Sequence, residues 1–362
     1  MENLRIPGPT PCPSEVIQAM TKQMINHRGP EFRQILNGVT ANLKQLFQTE
    51  NDLFLLTGSG TGGLEAVIVN TLSPGDKVLS VSIGVFGERF ASIAEQFGAE
   101  VIPLRFEWGK PADADAVRQA LQAEPQINAV LVTHNETSTG VTNDLASISS
   151  VVKEFDKLLL VDAMSSIGSI NLPVDDWHCD VTVTCSQKGY MAPPGVAMVS
   201  VSQEGWQAHS KAKMPRFYWD FTQAKSYLEK GQTPWTPALP IVFALSTSLE
   251  MMLKEGLSNI LARHARVSQA TREGIKSLGL SLFAQESHAS NTVTAVRASN
   301  GLDTKKMLQI LREEHKIVLA GGQQRLDGEI FRIGHMGWIT ENNIETVISA
   351  LKVVLPQAGF RG

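Results

Sequence analysis

The feature that most constrains this chain is an alternation running from about residue 50 to 240. Seven short apolar runs (DLFLLTG, KVLSVSI, EVIPL, AVLVTHN, KLLLVDA, DVTVTCS and AMVSVS) recur along it. Helix-like stretches such as GGLEAVIVNTL, GERFASIAEQFG, DADAVRQALQAE and LASISSVVKEFD separate several of them. A strand that is apolar on both faces belongs in a sheet covered by helices on each side, which is usually a parallel one. The pattern therefore predicts an α/β domain with a mainly parallel sheet.

The flanks read differently. Residues 1–20 comprise an extended, proline-rich start, RIPGPTPCP, and a helix opening at Ser14. A large domain is expected over 21–244, beginning with a helical pattern in PEFRQILNGVTANLKQLFQ. A smaller α+β domain is expected over 245–362: two long helices, then LSLFAQ, TVTAVRA, KIVLAG and EIFRIGH as strands, with helices at TKKMLQILREEH and NNIETVISALKVVL. The first segment is expected to pack on this smaller domain or to reach a partner subunit.

Charge and cysteine usage exclude several classes. The net charge is −4 and no basic tract stands out, so nothing favours nucleic acid or an anionic membrane. The cysteines are Cys12, Cys179 and Cys185, an odd number without CxxC spacing. That argues against a disulfide framework or a metal site and fits a reducing compartment. No run approaches the ~18 apolar residues of a membrane span, and the start lacks a signal-peptide pattern. Cytoplasm is the expected location.

The loop TGSGTGGLEA follows a strand and opens a helix, and it contains Gly58-x-Gly60-x-x-Gly63. A dinucleotide site also needs an acid at the end of the next strand, to hold the ribose hydroxyls. That strand ends in Ser82, Ile83 and Gly84, and the nearest acid, Glu88, lies in the following turn. The missing acid weakens the dinucleotide reading, and two others stand beside it: a cup for a monophosphate, with Ser59, Gly60 and Thr61 at a helix N-terminus, or an ordinary glycine-rich turn.

Asp162 directly follows one apolar strand and Lys188 comes just after another. Open α/β sheets bind ligands at such strand ends. The two residues suit a plain ion pair, or a pyridoxal 5′-phosphate (PLP) site. PLP chemistry needs a lysine to form the Schiff base and shuttle the Cα proton. It also needs a carboxylate to keep the pyridine nitrogen protonated, so that the ring withdraws electrons. The rest of such a site is present. Phe86 is placed to stack on the ring or to fill the core. Thr137 would bond the ring's phenolic oxygen, and Gln187 would touch the phosphate. Arg332 is a charge inside the apolar strand EIFRIGH, waiting for a substrate carboxylate or holding a structural salt bridge.

Taken in order, PGPTPCP, NHRGPEF, LTGSGTGGLEAVIVNTLSPGDKVL, GVFGERF, VTHNETSTGV, LLLVDAMSSIG, SQKGYMAPPG, TPWTPALP and FRIGHMG resemble the class V aminotransferases across nearly the whole chain. Within that family the chain is most similar to alanine–glyoxylate and serine–pyruvate (serine–glyoxylate) enzymes. The resemblance implies that Lys188 is the Schiff-base lysine and Asp162 the partner of the pyridine nitrogen. It implies that Ser59, Gly60, Thr61 and Gln187 meet the phosphate, joined by Thr236 from a neighbouring subunit of a homodimer with shared sites. The alternative for Thr236 is a cap on the helix beginning at PALP. Arg332 and Gly8 fall at the substrate. Phe86 stands where many members carry tryptophan, Asn135 where many carry glycine, and Met164, beside the ring, where a small or branched residue is common. Cysteine desulfurases of the family stack a histidine and carry a catalytic cysteine in the C-terminal half. This chain has Phe86 at the first position and no cysteine after Cys185.

The implied reaction is ping-pong amino transfer from alanine or serine to glyoxylate or pyruvate. The alternatives are a ureidoglycine–glyoxylate or aminophosphonate transaminase, or a non-catalytic PLP-fold binding protein.

Overall fold

The computed structural model describes residues 2–361. A short strand β1 (Asn3–Leu4) leads through the proline-rich segment to α1 (Ser14–Ala19) and α2 (Pro30–Phe47). The apolar positions of α2 fall on one stripe, Phe32, Leu36, Val39, Leu43, Leu46 and Phe47, and all are buried. There follow β2 (Asp52–Thr57), α3 (Gly60–Thr71), β3 (Lys77–Ser82), α4 (Val85–Gln96), β4 (Glu100–Arg105), α5 (Ala114–Ala123) and β5 (Ile127–Thr133). A small hairpin, β6 (Asn135–Glu136) and β7 (Val141–Thr142), precedes α6 (Leu145–Glu154), β8 (Leu158–Asp162), β9 (Val181–Cys185) and β10 (Val196–Val201).

The seven predicted strands form one sheet in the order β2-β10-β9-β8-β5-β3-β4. Pairing is parallel from β9 through β8, β5 and β3 to β4, and β10 runs antiparallel to both of its neighbours. The fold is thus the expected α/β class. Helix α3 lies tight on the sheet because Gly63 lacks a side chain. A Cβ there would come within 2.7 Å of Val183 and 2.9 Å of Ala197. That close approach is the structural use of the third glycine in the loop motif.

Two helices that the sequence reading passed over, α7 (Gln203–Lys211) and α8 (Phe221–Leu228), precede α9 (Leu239–Glu255) and α10 (Leu257–Ser277). The 244/245 boundary expected from sequence falls inside α9, which packs on α1 and α2. Next come β11 (Val293–Arg297), α11 (Thr304–His315), β12 (Ile317–Val318), β13 (Ala320–Gly321), β14 (Ile330–Gly334) and α12 (Glu341–Gln357). These build a smaller sheet, β11-β14-β13, with its own apolar core under α10, α11 and α12.

Two strand expectations need correction here. LSLFAQ makes only an isolated bridge, Leu282 to Val296, at the edge of β11. KIVLAG breaks in two: β12 pairs in parallel with β1, while β13 pairs with β14. The N-terminal segment therefore does pack on the smaller sheet region. It also crosses to the loop after β9, where the Thr10 amide donates to the Gln187 carbonyl at 3.1 Å.

Candidate active site

A cavity of about 230 Å³ opens at the C-terminal ends of the parallel strands. Nine of the residues singled out in sequence line it: Gly8, Ser59, Gly60, Thr61, Phe86, Asp162, Met164, Gln187 and Lys188. Helix α3 begins at Gly60, and the Ser59 hydroxyl makes no capping bond. The first-turn N–H groups of a helix have no partner within it, so they and the Ser59 and Thr61 hydroxyls are free to receive an anion.

Asp162 ends β8 and is buried. One of its oxygens accepts the Met164 amide at 2.9 Å, the other the Thr133 hydroxyl at 3.4 Å. Burial pushes its pKa up to about 6; the Met164 amide, Thr133 and Lys188 pull the other way, and Glu136 adds to the rise. Lys188 lies beyond β9, and its Nζ donates to the Pro7 carbonyl at 2.5 Å. Burial holds its pKa below that of a free lysine; the nearby Arg332 and Arg89 act in the same sense, and Cys185 and Asp162 oppose it. Gly8 passes directly over this amine, since a Cβ there would sit 2.5 Å from Nζ. The Gln187 Oε1 atom is buried without a hydrogen-bond partner.

Phe86 is not a core residue. It sits in the first turn of α4, partly exposed, with the Arg89 guanidinium 4.8 Å from its ring centroid.

Three predicted residues lie outside the cavity lining. Thr137 is buried on the hairpin, and it is its carbonyl, at 3.0 Å, that accepts Arg332 Nη1. Arg332, on β14, is buried and also donates Nε to the Gly321 carbonyl at 2.9 Å and Nη1 to Gln323 at 3.3 Å. Among the described residues no carboxylate pairs with it within 4.0 Å, which removes the structural salt-bridge reading. Its Nη2 edge makes no hydrogen bond there. Burial lowers its pKa to about 10, partly offset by Glu136. Thr236 is exposed and does not cap α9, whose N-cap is Ala238 with no side-chain bond.

Sequence reasoning overlooked Arg89, Cys185 and Glu136. Arg89 lines the cavity three residues after Phe86 on the same helix, a spacing that places both on one face. Cys185 lines it too, and burial pushes its thiol up to about 12. Asn135 is saturated. Its amide donates to Ser165 Oγ at 2.7 Å and Thr292 Oγ1 at 2.9 Å, and its oxygen accepts from Thr142 at 2.7 Å. Among the described residues no group of three His, Cys, Asp or Glu is placed to hold a metal ion, and no helix is long and apolar enough to cross a membrane.

A lysine, a carboxylate and an open helix N-terminus thus meet around one cavity of an α/β sheet. The description "Aminotransferase class-V" matches residues 3–333, and the chain belongs to that family. It is 46% identical over 359 residues to a protein named soluble hydrogenase 42 kDa subunit from Anabaena cylindrica, covering 98% of this chain and 94% of that one. It is 35% identical over 361 residues to L-aspartate–glyoxylate aminotransferase of Paracoccus denitrificans, covering 98% and 91%. The crystal structure of alanine–glyoxylate aminotransferase from a Nostoc species superposes with a TM-score of 0.95 at 31% identity, covering 98% of this chain and 95% of that one.

Proposed function

We propose that this chain is a cytoplasmic, PLP-dependent aminotransferase that moves an amino group from a small amino acid, alanine or serine, to glyoxylate or pyruvate. The observation that carries the reading is Lys188, its pKa lowered by burial, facing the same cavity as the buried Asp162. The cavity fits PLP on two further counts. The buried Gln187 Oε1 lacks a partner, and the start of α3 offers unfilled N–H groups beside two hydroxyls.

When bound, PLP supplies an electron sink for the pair left at the amino acid's Cα. Lys188 holds the cofactor and then serves as the base that lifts the Cα proton, a role that a depressed pKa assists. The ionised Asp162 holds a proton on the pyridine nitrogen. Ser59, Gly60, Thr61 and Gln187 would hold the phosphate, Phe86 and Met164 would meet the ring, and the Thr137 hydroxyl would bond its phenolic oxygen. Arg332 offers its unused Nη2 edge to the substrate α-carboxylate, an arginine–carboxylate pair of the kind that fixes orientation. Gly8 keeps the space over the lysine clear.

The working unit in this reading is a homodimer. Ser59 and Thr61 are exposed in the single chain, so the phosphate end stands open. Nearby, Phe217 is 76% exposed and stacks on Trp235, beside Thr236. A two-fold partner would cover both and bring its own Thr236 to the phosphate.

The name hydrogenase belongs to the Anabaena relative; the lysine–aspartate pair here supports amino transfer. The test is a panel of alanine, serine and aspartate as donors against glyoxylate, pyruvate and 2-oxoglutarate, followed by the cofactor's spectral half-reactions. Conversion by alanine or serine, with return by glyoxylate or pyruvate, is expected. Conversion by aspartate alone would contradict the donor assignment, and no conversion by any donor would contradict the activity.

A further inference from the structure

A second buried carboxylate, Glu136, stands beside the site without a part in the reaction so far described. It is 0% exposed, on the hairpin strand β6. Helix α4 starts without a capping side chain, because Gly84 occupies its N-cap. Its unpaired first-turn amides are taken instead by the hairpin. Val85 N–H donates to Ser138 Oγ at 3.0 Å, and Phe86 and Gly87 donate to one oxygen of Glu136 at 3.0 and 3.1 Å. The other oxygen accepts the Ser138 amide at 3.1 Å and its hydroxyl at 2.5 Å.

Four donors on two oxygens suit an ionised, acceptor-only carboxylate, and a helix N-terminus favours a negative charge. The close approach depends on Gly84, where a Cβ would stand 2.5 Å from the Glu136 side chain. The same hairpin reaches the substrate side. The next carbonyl, Thr137, receives Arg332 at 3.0 Å, and Asn135 bonds Thr292 of the smaller sheet region at 2.9 Å.

We propose that Glu136 is a positioning residue for the reaction: its carboxylate fixes the first turn of α4, and so the plane of Phe86 against the cofactor ring, while its strand fixes the carbonyl that aims Arg332. The inference rests on the reading that PLP lies against Phe86.

The experiment uses the full chain reconstituted with PLP. It records the visible circular dichroism of the bound cofactor, its dissociation constant and the thermal midpoint for wild type, Glu136→Ala, Glu136→Asp, Glu136→Gln and Phe86→Leu. Hydrogen bonds to a charged group are being removed, so Glu136→Ala and Glu136→Asp should weaken PLP binding about tenfold or more and diminish the dichroic band. Glu136→Gln keeps one oxygen for the α4 amides but turns its own N–H group against the Ser138 amide, so it should recover only part of both. A purely structural role would lower the thermal midpoint while leaving the band and PLP affinity of the folded protein intact, and that result would overturn the proposal. If Glu136→Ala does not fold, the aspartate and glutamine variants decide it. If the wild type takes up no PLP, the reading of the site is wrong. If Phe86→Leu alters the band and the Glu136 variants do not, only the role of Glu136 is wrong.

Discussion

Lys188 Nζ is hydrogen-bonded to the Pro7 carbonyl, 2.5 Å away, so the reactive amine at the end of the central sheet is tied to the first segment of the chain. The tie is reinforced by the Thr10 hydroxyl, which donates to the Lys188 carbonyl at 2.9 Å. Gly8 lies between these contacts at a φ of +131°.

The first prediction concerns that glycine. In Gly8→Ala the new methyl would meet Lys188 Nζ at 2.5 Å, at a backbone angle that L-residues rarely adopt. Strain of ~1–3 kcal/mol is expected at such a position, and it falls on the lysine. PLP incorporation should drop about tenfold or more, as read by titrating apoprotein with cofactor. Wild-type affinity in Gly8→Ala would show that the segment can move aside freely.

Asp162 carries a trade of stability for function. Its pKa is about 6 in the folded chain against 3.8 for an ordinary aspartate. Between those values the native state holds a proton that the unfolded chain has lost, so stability falls as pH rises through this window and the cost persists at neutral pH. Asp162→Asn apoprotein should therefore be more stable than wild type at pH 7, by roughly 1–3 kcal/mol. Its half-reaction with amino acid should slow sharply, because nothing holds the pyridine nitrogen protonated. Denaturant midpoints at pH 4 and pH 7 test the first part: the gain belongs at pH 7 and should shrink at pH 4. An equal gain at both would mean that the carboxylate's charge is not the cause.

Arg332 is buried, without a carboxylate partner among the described residues. Lysine in its place cannot keep the bonds to Gly321, Thr137 and Gln323 and still offer a planar edge. Arg332→Lys should raise KM for the amino acid about tenfold or more, the cost of losing a charge-assisted pair, with PLP affinity nearly unchanged. Loss of PLP at unchanged KM would place Arg332 in the scaffold instead.

Two buried histidines make the smaller sheet region sensitive to acid. His264 Nδ1 donates to the Ile260 carbonyl at 2.8 Å while its Nε2 accepts the Gly337 amide at 3.1 Å, which fixes the neutral ring. Burial lowers its pKa from 6.5 to about 4 and that of His335 to about 3. Below pH 6.5 the unfolded chain takes up protons that the native rings refuse, so the contribution of these two rings to stability rises with pH up to about 6.5 and outweighs the opposite slope of the single Asp162. Thermal midpoints should decline from pH 6.5 to 4, and His264→Gln should flatten that decline. An unchanged slope in the variant would assign the acid lability elsewhere.

The central sheet was legible in the sequence because each strand is apolar on both faces and therefore distinct from the helices around it. The same signal weakens in the smaller region, where LSLFAQ lies at a sheet edge and pairs through one bridge. Helices α7 and α8 were missed because they are short and half exposed, with only Gly205 and His209, and Phe221 and Ala224, buried. At the site, Lys188 and Asp162 were visible as polar residues closing apolar strands. Glu136 was equally visible as an acid in VTHNETSTGV, but its role depends on a contact with α4 some 50 residues earlier, which no local pattern encodes. Arg332 could be read as an unusual charge in a strand, but its lack of a carboxylate partner needed the structure.

The central claim is that Lys188 carries PLP, and the most direct measurement is reduction of the PLP-treated protein with borohydride followed by peptide mapping. One labelled peptide containing Lys188 is predicted, with Lys188→Ala unlabelled there and unable to turn over. A label on any other lysine, or full activity in Lys188→Ala, would contradict the account.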